Sequence, residues 1–483
     1  MKRFYLLLAA ATLLAAIAGC QKEPAGVENA SQTDVYVEFT INFADGSATK
    51  ADDYNSSNVA IGTPDEHAVK NAYLYFFNST SKEYVSTVPI AAGDIASQEV
   101  AGNLIKKTTI PTRLTPATYD VYATLNYEVT GLAGPPVKTT EDFEKMTYVH
   151  DYSTYVIGTA GIPMTSRKSD GTMSMKNVLV DANNTFDNPV PIELYMERML
   201  AKLTVKETVA TYSVTTERDG TGTALATVDL TDYKPVNLTN NSYLFRHVGV
   251  DASTTTFGEI TSANYVIEPE TAVKTDGTIT ASHHYYQHVN GPETYSPMPV
   301  LNNFSNPLYC TENTMLQSSQ KKTYATALAF KGKITPAAGT YFHNNGGTIE
   351  TTTPGADADL WYFNGKFYDS LNSLNTHNGL SLSDTPTDPN YYQKFGVKLY
   401  TDSVCYYTYY IRHYNNGDSQ EMGIMEFAIV RNNDYQVTIE KIVSLGEDHP
   451  TVLGEDIEAT MSYFQATLYV RPWVVRAQEA VLG

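Results

Sequence analysis

A cysteine that follows a short apolar run can offer its thiol to one kind of reaction, acylation at a membrane surface. Lys2 and Arg3 precede the largely apolar stretch Phe4 to Ala18, which runs straight into Gly19-Cys20. That stretch is shorter than the ~20 residues a spanning helix needs, so it reads as an export signal at residues 1–20 with Cys20 as the lipid acceptor. The mature chain would then begin as a lipid-anchored protein of the outer membrane, carrying a diacyl or palmitate-type anchor. A second reactive position is Lys50. It is the one Lys or Arg in the polar segment 44–68, and a loop of that length invites proteolytic nicking.

The remaining chemistry is sparse. No nucleophile elbow, zincin helix, phosphate loop or dinucleotide fingerprint occurs, so no enzymatic activity is expected. His283, His284 and His288 are the one metal-like grouping. They have no acid or cysteine close in sequence, and no metal or cofactor is expected there. Asp219 and Gly220 read as a hairpin loop, and Asp357 and Asp359 lack the rest of a calcium loop. Beyond Cys20 there are only Cys310 and Cys405, which could pair in an oxidising envelope or both stay as buried thiols; their spacing does not decide, and the lack of a framework pattern leans to unpaired.

Composition says what kind of scaffold carries these residues. The chain has 483 residues, with Lys+Arg 33 against Asp+Glu 53, a net charge of −20. An acidic chain without a basic stripe excludes a nucleic-acid partner. Tyr is abundant at 36 residues and Trp scarce at 2, which favours strands over helical bundles and leaves few sugar-stacking platforms. An all-β, exported protein is expected.

The clearest strand is 34–43, where Val35, Val37, Phe39, Ile41 and Phe43 share one face and polar residues fill most of the other. Strands also follow near 71–77, 84–90, 104–110, 118–126, 153–158, 174–180 and 189–195. Further on they recur near 242–247, 263–268, 323–332, 360–368, 394–400, 404–413, 423–430 and 434–442. Asn364-Gly365 predicts a tight hairpin. A short helix is predicted at 140–146, with Thr140 as its cap. The turn-rich stretch 183–191 and the long apolar run from Leu194 to Val205 suggest a domain change near 190. The expected plan is a propeptide at 21–50, a first β-sandwich at 51–190, a second at 191–460 and a terminal segment at 461–483. That last segment alternates Phe464, Ala466, Leu468 and Val470, then passes Pro472 to Trp473, Val475 and Ala477. An apolar strand at a chain end is an unpaired edge unless something receives it.

In order along the chain these features resemble the fimbrillins, the type V pilins of Bacteroidales, and most of all their stalk subunits. The likeness rests on Cys20, on strand 34–43 followed by Lys50-Ala51, and on Glu197-Arg198-Met199-Leu200-Ala201-Lys202-Leu203. It rests also on Cys405-Tyr406-Tyr407 running to Ile411-Arg412-His413, and on Arg431 to Ile439 with Val470-Arg471-Pro472-Trp473. The resemblance implies two transthyretin-like β-sandwich domains with a few short helices and an exchangeable terminal strand. It implies a lipoprotein precursor cut by a trypsin-like protease between Lys50 and Ala51, where the family usually carries arginine. The severed strand would open a groove that a neighbouring subunit's C-terminal strand fills, giving a head-to-tail homopolymer that becomes an extracellular fimbrium. Anchor and tip subunits, and host or bacterial surface receptors, are the implied further partners, and adhesion, biofilm formation and virulence the implied roles. The physics fits: five large side chains at ~1.5–3 kcal/mol each leave a vacancy worth roughly 8–15 kcal/mol as an upper bound, which a donor strand recovers by β-augmentation. The other readings are a glycan-binding surface lipoprotein, or a tip or accessory subunit of the same system.

Overall fold

Alternating strands bury one face each and must find a second layer to cover it. In the computed structural model, the described residues are 35–43, 60–100, 103–152, 161–167, 172–249, 265–275, 278–280, 285–286, 295–413, 418, 422–450 and 464–474. The strand expected at 153–158 lies outside them.

The first layer system is a nine-stranded sheet. Its path runs through Tyr84–Ala91, Asn71–Asn78, Ala117–Leu125, Met164–Arg167 and Val190–Arg198, then Val35–Phe43, Asn103–Thr112 and Ala96–Val100, with Met175–Val180 pairing Ala117–Leu125. Side chains from both ends of this path share one core, among them Phe39, Leu74, Val121, Val178 and Ile192, so the sheet closes over itself as a sandwich.

The second sandwich faces two sheets across another core. One orders Ala60–Ile61, Phe464–Val474, Asn433–Ile442, Ala201–Glu207 and Leu308–Cys310; the other orders Tyr212–Thr215, Ala224–Val236, Ala327–Pro336 and Val404–Tyr410. A further five-stranded sheet at 341–400 is capped by helices α1 (Leu371–Asn378) and α2 (Tyr391–Lys394). No alternation at helical spacing advertises them: α1 starts on the Ser370 cap and stops at Gly379, whose φ of +64° suits only glycine-like backbone.

Several expectations meet the structure directly. Asn364 and Gly365 both take positive φ, 48° and 75°, joining antiparallel strands Leu360–Phe363 and Lys366–Tyr368 in a type I′ geometry. The sheet change falls at Met199-Leu200 rather than at 190. The turn signals at 183–191 belong to a tight turn within the first sheet, held by Asp181, Asn183 and Asn184. The single apolar run 194–205 is two strands, Val190–Arg198 in the first sheet and Ala201–Glu207 in the second. The short helix spans Thr140–Glu144 and its cap is Thr139, not Thr140. Thr139 is extended, its hydroxyl accepts from Asp142 N, and Asp142 in turn accepts from Thr139 N, a capping box. Residues 423–430 form a turn at 424–427, where Met425 takes φ +62°, and a single bridge at Ile429 to Asn313 rather than a strand.

Candidate functional site

Strand β1 (Val35–Phe43) lies in the middle of the first sheet rather than at its edge. It runs antiparallel to β2 (Asn103–Thr112), with Val35 opposite Thr112 and Asn42 opposite Ile105. On its other side it runs parallel to β3 (Val190–Arg198), from Val37 opposite Val190 to Phe43 opposite Met196. Parallel neighbours cannot be joined by a hairpin, so β1 is inserted between strands that come from distant parts of the chain. The alternation is obeyed: Val35, Val37, Phe39 and Ile41 are buried and Phe43 is half-buried against the same core.

The outer face of β1 is tied down only lightly. Glu38 meets Lys107 at 2.7 Å, and Asn42 donates to Glu193 at 2.9 Å. Tyr36 N donates to Asn184 O at 2.9 Å, and the Tyr36 ring meets Phe186 edge-on. Half-exposed ion pairs of this kind contribute about 0–1 kcal/mol. The inner face dominates: four fully buried aliphatic or aromatic side chains are worth roughly 6–12 kcal/mol as an upper bound. Removing β1 would therefore leave a nine-residue slot. Its floor would be apolar, and backbone donors and acceptors would be exposed on both β2 and β3.

The C-terminal strand sits elsewhere. β4 (Ala201–Glu207), β5 (Asn433–Ile442) and β6 (Phe464–Val474) are neighbours in the second sandwich, where β6 pairs antiparallel with β5 from Phe464 opposite Ile442 to Pro472 opposite Asn433. Trp473 and Val474 pair with Ala60 and Ile61 in parallel. Of the residues expected on a donor face, Ala466 packs against the second core. Phe464, Leu468, Val470 and Trp473 lie on this strand, whereas Val475 and Ala477 are outside the described residues. Cys20, Lys50 and Ala51 are outside them too, as are His283, His284 and His288. Among the described residues no group of His, Cys, Asp or Glu could hold a metal ion, and no helix is long and apolar enough to cross a membrane.

Between the two sandwiches lies a buried polar knot that reasoning from sequence did not find. Just beyond the 44–59 segment, Glu66 is buried and accepts from Lys202 Nζ (2.7 Å), Tyr309 Oη (2.6 Å) and Thr63 N (2.8 Å). Burial alone would raise its carboxyl pKa, yet Lys202 and these hydrogen bonds hold it below the usual value. Arg198 donates to Glu66 O (3.0 Å) and to Asn432 Oδ1 (3.2 Å). Arg431 donates to Glu312 Oε2 (2.7 Å), Tyr243 O (2.7 Å), Leu244 O (3.0 Å) and Ser242 Oγ (3.0 Å). Nearby, His413 Nδ1 and the Tyr435 hydroxyl are 2.8 Å apart. The segments 197–203, 405–413 and 431–439 thus meet in space. The available signal was charge inside apolar strands, at Arg198, Lys202 and Arg431.

The two cysteines are unpaired and buried. Burial pushes the Cys405 thiol up to about 11 and the Cys310 thiol higher. Neither thiol should react with a maleimide in the folded protein, and both should be labelled after denaturation, which a mass measurement before and after urea would read. Trp361, one of the two tryptophans and so of the few residues able to stack on a sugar, meets Tyr392 edge-on at 5.0 Å and packs partly buried against a small core.

A family model described as major fimbrial subunit protein (FimA) matches residues 36–198. A second, described as the C-terminal part of major fimbrial subunit protein type IV, fimbrillin, matches residues 398–479. No curated protein matches the chain. Similar solved structures include a Parabacteroides distasonis protein described as a cell adhesion protein, at 13% identity, covering 91% of this chain and 98% of that one with a TM-score of 0.43. A Bacteroides eggerthii protein of the same description has 14% identity, 92% and 97% coverage and a TM-score of 0.39. The tip fimbrial protein Mfa3 of Porphyromonas gingivalis, C-terminally truncated, has 13% identity, 91% and 100% coverage and a TM-score of 0.36.

Proposed function

The chain belongs to the fimbrillin family, and from that premise we propose that it is the stalk subunit of a cell-surface fimbria, polymerised by protease-triggered exchange of β1. One observation carries the reading. β1 is a central strand with a fully apolar inner face, and the 44–59 segment that follows it contains Lys50.

The lipid-anchored precursor, held through Cys20, would keep β1 in place and stay closed at that sheet. A trypsin-like protease cuts between Lys50 and Ala51, so β1 is no longer covalently held. A neighbour's C-terminal segment then occupies the slot between β2 and β3. The alternation of Phe464, Ala466, Leu468 and Val470, continued by Trp473, Val475 and Ala477, suits that slot. In the single chain the β5 ladder ends at Pro472, which has no N–H to give. The stretch from Trp473 on is held in its own chain only by the two-residue parallel pairing with Ala60 and Ile61, so it can pass to a neighbour while Phe464 to Pro472 stay on β5. The contact is heterologous and does not close, so it propagates as a filament. Anchor and tip subunits would bound that filament, and surface receptors would meet it from outside.

Limited trypsin digestion of residues 21–483 tests this. The expected product has Ala51 at its N-terminus and forms an SDS-resistant ladder that collapses on boiling. Lys50→Gln is expected to abolish both the cut and the ladder, and deletion of 473–483 to abolish the ladder while sparing the cut. A chain cut at Lys50 that stays monomeric would overturn the proposal.

A further inference from the structure

Lys274, Glu268 and Asn313 are three reactive groups enclosed together in the second sandwich, each at most 1% exposed. We propose that Lys274 and Asn313 are covalently joined by an intramolecular amide bond, formed with Glu268 as the proton carrier. The inference does not depend on the strand-exchange reading.

The geometry places an amine against a carboxamide. Lys274 Nζ lies 2.7 Å from Asn313 Oδ1 and 2.6 Å from Thr314 O, and it also contacts Glu268 Oε1. The carboxamide cannot rotate away. Its Nδ2 donates to Tyr324 O (2.7 Å), Thr326 Oγ1 (2.9 Å) and Asn237 O (3.0 Å). Its backbone is fixed as well, exchanging two hydrogen bonds with Ile429. Glu268 is oriented by Glu270 N, which donates to its Oε2 at 2.5 Å, and its own N–H donates to Thr271 Oγ1. Thr271 and Thr314 hydroxyls, 2.9 Å apart, lock the loop onto the strand.

The chemistry follows from the enclosure. An ammonium taken out of water loses its hydration, which favours the neutral amine, the nucleophilic form. Burial lowers the Lys274 pKa and raises that of Glu268, so the proton is better placed on the carboxyl. Nζ attacks Cγ of Asn313 and the Nζ–Cγ bond forms. One oxygen of Glu268 takes a proton from Nζ while the carboxylic acid gives its own to Nδ2. The Cγ–Nδ2 bond breaks and ammonia leaves. Amine plus primary amide gives secondary amide plus ammonia; nothing is oxidised or reduced. The amine and carboxamide are held as near neighbours, so no bimolecular encounter is needed. The cross-link would bind the 265–275 segment to the 308–314 strand region of a subunit expected to bear load.

The intact mass of the purified, denatured chain decides the matter, once its N-terminus has been read. The expected mass is lower than the sequence mass by one ammonia, and a protease digest should contain one branched peptide joining the Lys274 and Asn313 segments. Lys274→Arg should restore the full mass. Glu268→Gln, which keeps the shape of the side chain, should leave most of the chain unreacted. A wild-type chain of full sequence mass, with Lys274 labelled as a free amine after denaturation, would overturn the proposal. So would an ammonia deficit that maps to an unbranched peptide.

Discussion

Phe39→Ala is expected to lower the unfolding free energy of the uncleaved chain by about 3–5 kcal/mol, the range for emptying a fully buried aromatic site. The ring is buried at the centre of β1, opposite Ile192 on β3 and Thr108 on β2. Collapse around the cavity is resisted because both flanking strands are fixed by their own ladders. Urea denaturation of residues 21–483 at fixed ionic strength would read the change as a fall in midpoint. If β1 leaves on processing, the same substitution should have no effect on the stability of assembled subunits and should speed ladder formation after the cut. A loss below about 1 kcal/mol in the precursor would mean that Phe39 is not packed as described.

The second large effect is expected at the knot between the sandwiches. Arg431→Met should cost about 3–5 kcal/mol, because it strands the buried Glu312 carboxylate and leaves Tyr243 O and Leu244 O without their donor. The double variant Arg431→Met/Glu312→Leu should recover much of that loss, since an apolar pair needs no compensating charge. The pH dependence has a definite sign. Burial already raises the Glu312 carboxyl above its ordinary 4.5, opposed by Arg431. Without the guanidinium the folded-state pKa rises further. A carboxyl raised on folding favours the folded state below its unfolded pKa and loses that contribution as pH rises through the folded one. The part of the Arg431→Met deficit that comes from the stranded carboxylate should thus be smallest at acid pH, below the ordinary 4.5, and grow as the pH rises. Paired thermal melts of wild type and variant across that range would measure it, and a deficit independent of pH would assign the effect to packing alone.

Strand β1 was legible because its signal is local. Five apolar residues at a period of two need no information beyond their own neighbours to declare a half-buried strand. The same holds for the Asn364-Gly365 turn, whose two positive-φ residues are chosen by local sterics. Other features misled for an equally physical reason. The run Leu194 to Val205 reads as one strand because periodicity carries no mark of which sheet a strand joins, and the break at Met199-Leu200 is set by partners far away in sequence. Thr139 and Thr140 are indistinguishable as caps by residue type, and only the reciprocal bonds with Asp142 choose between them.

The all-β class and the half-buried strand 34–43 are properties of contiguous residues and were readable there; an export signal ending at Cys20 and a cut at Lys50 are expectations of the same local kind. The packed fold shows that β1 is central and flanked in parallel and antiparallel fashion. It alone decided that β6 lies on β5 in its own chain, and that Glu66, Arg198, Lys202 and Arg431 are buried between the sandwiches. The reason is common to all three. Backbone pairing and the burial of charge depend on which segments meet across a hundred residues or more, and the energy of each meeting lies in desolvation and ladder geometry that no local pattern encodes.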